Sequence, residues 1–212
     1  MLKLSNELLN IIVAFSKENM YISYKNKFPW GRLKYDLLFL RYIMNLDSDV
    51  VLIGGRKTIE IGKFNGYKKI MLTSKKIDPH PEIQTAHSFT EAIKLAKNKK
   101  CLIIGGENVY RHALNYPFQL FCTIIENSHL HGDVIFPATL LPNHPNLYYL
   151  NPSLLKNITF DLSLVLNFNN SLSIDSDGFF ILENGFKYRF YLYSSLNPPS
   201  SSNLFPSKNI NK

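Results

Sequence analysis

The sequence predicts an α/β fold built on a mostly parallel sheet with an antiparallel strand at its C-terminal end. Two observations carry this. Short apolar, β-branched runs alternate with helical stretches through the first two thirds of the 212 residues. Those runs are apolar throughout and do not alternate with polar residues, as expected of strands covered on both faces. A third observation adds the antiparallel strand: "GFKYRFYLYSS" (185–195) does alternate, and it comes last.

The strands are read in order as "IIVAFS" (11–16), "DVVLIGG" (49–55), "KKIMLTS" (68–74), "CLIIGG" (101–106) and "LFCTIIEN" (120–127). Between them, "YDLLFLRYIMNL" (35–46) carries apolar residues at helical spacing. "SFTEAIKLAKN" (88–98) starts with Ser88 and Thr90 and then shows helical periodicity, and "ENVYRHALN" (107–115) follows a double glycine as another helix. "PATLLPNHPNLYYLNP" (137–152) reads as proline-punctuated loop, and 158–182 is rich in Asn and Ser. Residues 1–195 are expected to form one domain and 196–212, "LNPPSSSNLFPSKNINK", a disordered tail.

A net charge of +8, from 24 Lys and Arg against 16 Asp and Glu, points to anionic ligands. The lysines are scattered, and the densest group, "KNKK" at 97–100, reads as a helix end, which argues against nucleic acid. Cys101 and Cys122 both lie in apolar runs and read as core residues in a reducing compartment, not as a disulfide frame. The six histidines show no metal-ligand spacing. No 18-residue apolar span or leader pattern occurs, so a cytoplasmic protein with no membrane partner is expected.

Two stretches, "VLIGGRKT" (51–58) and "LIIGGENVY" (102–110), share a layout of apolar strand, Gly-Gly and helix start. Glycines at the carboxyl end of a parallel strand let a ligand approach the backbone, and the N–H groups of the next helix then face an anion. Arg56, Lys57 and Thr58 suit a phosphomonoester, and the second copy, with no cation, suits a pyrophosphate. Neither is the G-x-G-x-x-G fingerprint. A further stretch, "NKFPWGRLKYD" (26–36), places the one Trp beside a proline and an acid, Asp36, ahead of Leu37, Leu38, Phe39 and Leu40. Asp36 is either a helix-start residue or a buried acid kept for chemistry.

The order of these pieces resembles the dihydrofolate reductase family. It runs through "IIVAFSKENMYISYKNKFPW", the acid six residues beyond Trp30, "GGRKT", "IMLTS", "IIGGENVY", "TIIE", "HGDVIFP" and "GFKYRFYLY", with the Trp-to-acid step similar to eukaryotic-type members. The resemblance implies a central, mostly parallel eight-stranded sheet with about four flanking helices. It implies that Asp36 accepts hydrogen bonds from the pterin N3–H and 2-amino group, a bidentate match for one carboxylate. Thr123 matches the strand threonine bonded to that acid, and Trp30 the loop tryptophan that holds a water near it. Val13 and Ala14, with Ile12, match residues beside the pterin. Phe28 and Leu40 match apolar walls, and Ile104 closes the site.

On the cofactor side the resemblance implies NADPH. Gly55, Arg56, Lys57 and Thr58 would hold its phosphates, and Thr73, Ser74 and Lys75 the ribose 2′-phosphate. Gly105 and Gly106 match a pair joined by a cis peptide, rare outside proline. Glu107, Asn108, Val109 and Tyr110 line the pyrophosphate and nicotinamide edge, with Ala14 and Ile104 shared between cofactor and substrate. Ile22 and Ser23 match the nicotinamide entrance, and Asp133 the acid that tethers the mobile loop. The implied reaction is hydride transfer from NADPH to C6 of dihydrofolate with protonation at N5, by a monomer.

The sequence departs from the family where an arginine normally pairs with the folate α-carboxylate. Tyr67 stands there, with Lys68, or Lys69, as the substitute. Ile59 replaces a usual tryptophan, Ser23 a usual glycine, and 138–184 is poorly matched. Two rival readings are the related pyrimidine reductase of flavin biosynthesis and a non-catalytic pterin- and NADPH-binding protein.

Overall fold

The structure, a computed structural model, describes residues 2–137, 147–150, 172–176, 178–195 and 204–206. Strand β1 (Leu9–Ser16) lies in the middle of the sheet, parallel to β6 (Cys101–Gly105) on one side and β7 (Phe118–Glu126) on the other. Beyond β6 come β3 (Val51–Gly55), β4 (Lys68–Leu72) and β5 (Ile83–Ala86), all parallel. Beyond β7 the direction reverses: β12 (Phe186–Ser194) pairs antiparallel with β7 along its whole length, followed by β11 (Gly178–Glu183) and β10 (Leu172–Asp175). The α/β class, the parallel body and the antiparallel C-terminal strand are those expected.

The sheet is wider than eight strands. β10 and all but the last residue of β11 fall within 158–182, a segment with no firm reading from sequence, because the Asn- and Ser-rich residues ahead of these short strands carry no period of two. β9 (Leu147–Leu150) pairs with β12, so part of the stretch read as loop is strand: an unbroken Leu-Tyr-Tyr-Leu between prolines is long enough to pair. β13 (Leu204–Pro206), inside the stretch expected to be a tail, pairs with β9; the rest of 196–212 lies outside the described residues. A separate ribbon joins β2 (Tyr21–Ser23) to β8 (Val134–Ile135).

Helices α1 (Lys34–Met44) and α2 (Arg56–Ile61) and helices α3 (Phe89–Leu95) and α4 (Glu107–Ala113) cover opposite faces of the sheet. The period of two along each strand divides the core accordingly. In β1, Ile12 joins the α1 side with Phe39, Ile43, Leu52, Leu102 and Phe121, while Ile11, Val13 and Phe15 join the α3–α4 side with Phe89, Ala92 and Val109. Helix α3 starts where Ser88 predicts. The Ser88 hydroxyl accepts from the Glu91 N–H at 3.1 Å, and the Glu91 carboxylate accepts from the His87 N–H at 2.7 Å, a reciprocal arrangement close to a capping box. Helix α1 has no such side chain at its own start.

Among the described residues the most deeply enclosed charge is that of Arg189. Arg189 of β12 is 1% exposed, and its guanidinium is held by Glu126 of β7 and Asp175 of β10. Burying a guanidinium is tolerable only with carboxylates this close. The cluster therefore fastens the antiparallel end of the sheet to the parallel body. Among the described residues no helix is long and apolar enough to cross a membrane.

Candidate active site

Asp36 is in the first turn of α1, and its Oδ1 accepts from Thr123 Oγ1 of β7 at 2.7 Å. Thr123 is buried and paired in register with Ala14 of β1 and Phe190 of β12, so its position is fixed from both sides. The apolar run after Asp36 buries Phe39 and Ile43 against the sheet and carries the carboxyl toward the interior. Burial raises the Asp36 pKa from 3.8 to about 6; the Thr123 bond opposes that rise, and the Glu183 carboxylate adds to it. An acid with its pKa near 6 holds or releases a proton within the physiological range, which an ordinary helix-start aspartate does not.

The same side of the sheet gathers Trp30, Ile12 and Ile104, with Ala14 and Leu40 partly buried against them. The Trp30 ring is 3% exposed and stacks on Phe28 at 5.9 Å between centroids, and its indole N–H is buried with no partner among the described residues. Phe28 is 52% exposed, a flat apolar surface at the rim and not a buried wall.

Next to this group, β3 and β6 end in their glycine pairs. The two turns abut: a Cβ on Gly54 would lie 3.0 Å from the Gly105 carbonyl oxygen, and one on Gly55 would lie 3.7 Å from the Gly106 nitrogen. The Gly105–Gly106 peptide is cis. Gly55 and Gly106 lead directly into α2 and α4, so Arg56, Lys57 and Thr58 on one and Glu107 and Asn108 on the other stand at the same sheet edge. Thr58 Oγ1 would be 3.6 Å from a Cβ on Gly106. Thr73, Ser74 and Lys75 follow β4, with the Lys75 N–H donating to Thr73 Oγ1 at 3.1 Å. Glycine backbones, N–H groups and cations in this arrangement suit a phosphate-bearing group.

The family description "Dihydrofolate reductase" matches residues 8–144, well over half of the chain. The chain belongs to the dihydrofolate reductase family. Among similar proteins, the dihydrofolate reductase of Buchnera aphidicola subsp. Baizongia pistaciae is 34% identical over 133 residues, covering 61% of this chain and 77% of that protein. The viral dihydrofolate reductase of Saimiriine herpesvirus 2 is 31% identical over 155 residues, covering 65% and 72%. The dihydrofolate reductase of Rattus norvegicus is 26% identical over 164 residues, covering 66% and 87%.

Five of the residues expected to touch ligand in this dihydrofolate reductase family member are placed differently. Val13 points its side chain into the α3–α4 core, because its neighbours Ile12 and Ala14 take the Asp36 side; only its backbone lies along the site. Lys68 does not reach the site. It pairs with Val51, the first residue of β3, and its ammonium lies 3.8 Å from Asp49 at the opposite sheet edge. The alternation that puts Tyr67 and Met71 on the α1 side puts Lys68 and Ile70 on the other. Lys69 faces the α1 side but is 6% exposed and committed, donating to the Phe64 carbonyl at 2.8 Å and to Glu82 at 2.6 Å. Val109 and Tyr110 are core residues, the Tyr110 hydroxyl donating to the Ile12 carbonyl at 2.7 Å.

The loop after β1 is tied down as the sequence implies. Asp133 accepts from the Lys25 N–H at 2.8 Å and donates its own N–H to the Ser23 carbonyl at 2.9 Å, while Ile22 packs against the α3–α4 core. Two contacts went unread in the sequence. The Tyr67 hydroxyl donates to Asn45 Oδ1 at 2.7 Å, and the Glu183 carboxylate accepts from the start of α1.

Proposed function

We propose that this enzyme reduces 7,8-dihydrofolate to 5,6,7,8-tetrahydrofolate with NADPH, by hydride transfer to C6 and protonation at N5. The observation that carries the reading is the Asp36–Thr123 pair: one carboxyl, desolvated and fixed at 2.7 Å, in a chain of this family. Asp36 would bind the amidine edge of the pterin with both oxygens and, with its pKa raised to about 6, keep a proton within reach of N5. Trp30, whose buried indole N–H has no partner among the described residues, would hold a water near the acid.

The residues present fit NADPH. Gly55, Arg56, Lys57 and Thr58 would hold its phosphates, Gly105, Gly106, Glu107 and Asn108 its pyrophosphate, and Thr73, Ser74 and Lys75 its 2′-phosphate. When bound, the nicotinamide supplies the hydride. The chain's own part is orientation, exclusion of water and one acid. Tyr67 and Asn45, bonded to each other, stand where a guanidinium would grip the substrate carboxylate, so that end of the substrate is held more weakly.

The direct test mixes protein, NADPH and dihydrofolate and follows NADPH absorbance. Steady consumption that depends on both is expected. No consumption would overturn the reading.

A further inference from the structure

Helix α1 starts without a side-chain cap of its own: Leu33 occupies the N-cap position, and its side chain has nothing to offer the free N–H groups. A distant element supplies what is missing. The Glu183 carboxylate at the end of β11 accepts from the Lys34 N–H at 2.6 Å and the Tyr35 N–H at 3.4 Å. It is itself held by the hydroxyl of Tyr188, a fully buried residue of β12. The next residue, Asn184, donates its side-chain amide to the Arg32 carbonyl at 3.3 Å. Asn184 and Gly185 have φ of 52° and 80°, both left-handed, as a two-residue Asn-Gly hairpin turn requires.

We propose that this hairpin turn is a clamp on the helix that bears the active-site acid, with Glu183 as a positioning residue for Asp36. The inference rests on the reading of Asp36 given above. The first turn of a short helix frays unless its N–H groups are bonded, and Asp36 is in that turn. Glu183 therefore decides where the carboxyl stands. Its charge also acts on the acid directly, since a carboxylate nearby disfavours ionisation of Asp36.

Among the described residues, few groups interact with Asp36. Glu183 and Tyr188 approach from the hairpin, Thr123 from β7 and Tyr110 from α4, with Lys34 and Tyr35 on its own helix. Burial holds Tyr110 and Tyr188 neutral, so Glu183 is the anion beside Asp36 among these. The Lys34 ammonium is turned over the Tyr35 ring at 5.6 Å.

The test labels aspartate carboxyl carbons with 13C and titrates Asp36 in the wild type and in Glu183→Gln. Glutamine keeps the reach and one acceptor oxygen but removes the charge. The Asp36 midpoint is expected to fall by about half a pH unit, with an about threefold loss of turnover at pH above it. A merely structural role would lower the melting temperature and leave the midpoint in place, which overturns the inference. If Glu183→Gln does not fold, Tyr188→Phe, which releases the carboxylate from its anchor, must lower the same midpoint, and an unchanged midpoint there overturns it equally. The titration reads Asp36 directly. A wild type that fails to consume dihydrofolate therefore counts against the proposed function, and an immobile midpoint against the clamp.

Discussion

Thr123 Oγ1 donates to Asp36 Oδ1 at 2.7 Å, and this bond joins the middle of β7 to the first turn of α1. It opposes the larger effect on the acid, which is burial. The site is thus built around a carboxyl whose surroundings favour the neutral form and whose one hydroxyl partner favours the charged form.

Asp36→Asn is expected to abolish turnover near neutral pH, by about 100-fold or more, while leaving NADPH binding intact. It is also expected to stabilise the protein. The folded pKa is raised to about 6 from 3.8, so between those values the folded state binds more protons than the unfolded state. Stability from this group is therefore present at low pH and lost as pH rises through about 6. The neutral amide escapes that loss, by roughly 1–3 kcal/mol at pH 7 and by nothing at pH 3.5. Denaturant melts at the two pH values check the sign.

Thr123→Val removes the hydroxyl while keeping its shape. Because that hydrogen bond lowers the Asp36 pKa, its loss is expected to move the acid's titration to higher pH. A buried carboxyl oxygen left without its donor also costs roughly 1–3 kcal/mol of stability. A pH–rate profile with its limb unmoved would show that the bond is not made in solution.

Much of this was legible in the sequence for a physical reason. Strand–glycine–helix transitions and the Trp-to-acid spacing are local, so Asp36, Trp30 and the two glycine turns could be read from adjacent residues. What failed depends on register. Val13 and Lys68 sit one residue from positions on the site side, and a shift of one in a strand reverses the face. Glu183 was invisible because its partners are backbone N–H groups 149 and 148 residues away, which leave no pattern in sequence.

Lys69 tests the departure at the substrate's far end. Its ammonium is enclosed and satisfied by Glu82 and the Phe64 carbonyl, and Glu82 in turn has its pKa lowered by that bond. Removing the acid alone strands a buried cation, whereas removing the cation leaves an acid that solvent can reach. Glu82→Ala is therefore expected to lower the melting temperature more than Lys69→Met does. The reverse order would mean that Lys69 is free to turn outward and serve the substrate carboxylate.

The glycine turns separate a steric requirement from a binding one. Gly105 has φ of 101°, and a Cβ there would meet the Tyr110 ring at 2.9 Å. That ring cannot yield without breaking the hydroxyl's bond to the Ile12 carbonyl on β1. Gly105→Ala thus combines left-handed strain with overpacking and is expected to destabilise by about 2 kcal/mol or more. Gly55 has ordinary φ, and its nearest neighbour, the Val109 side chain, would be 3.6 Å from a new Cβ. Gly55→Ala is expected to fold normally, because a methyl group fits there in ordinary contact. Any loss it shows should then appear in NADPH affinity and not in the melting temperature, since the added methyl group would stand between the ligand and the backbone it approaches. Calorimetry on both variants, with and without NADPH, decides the matter: equal destabilisation would mean that the two turns serve packing alone.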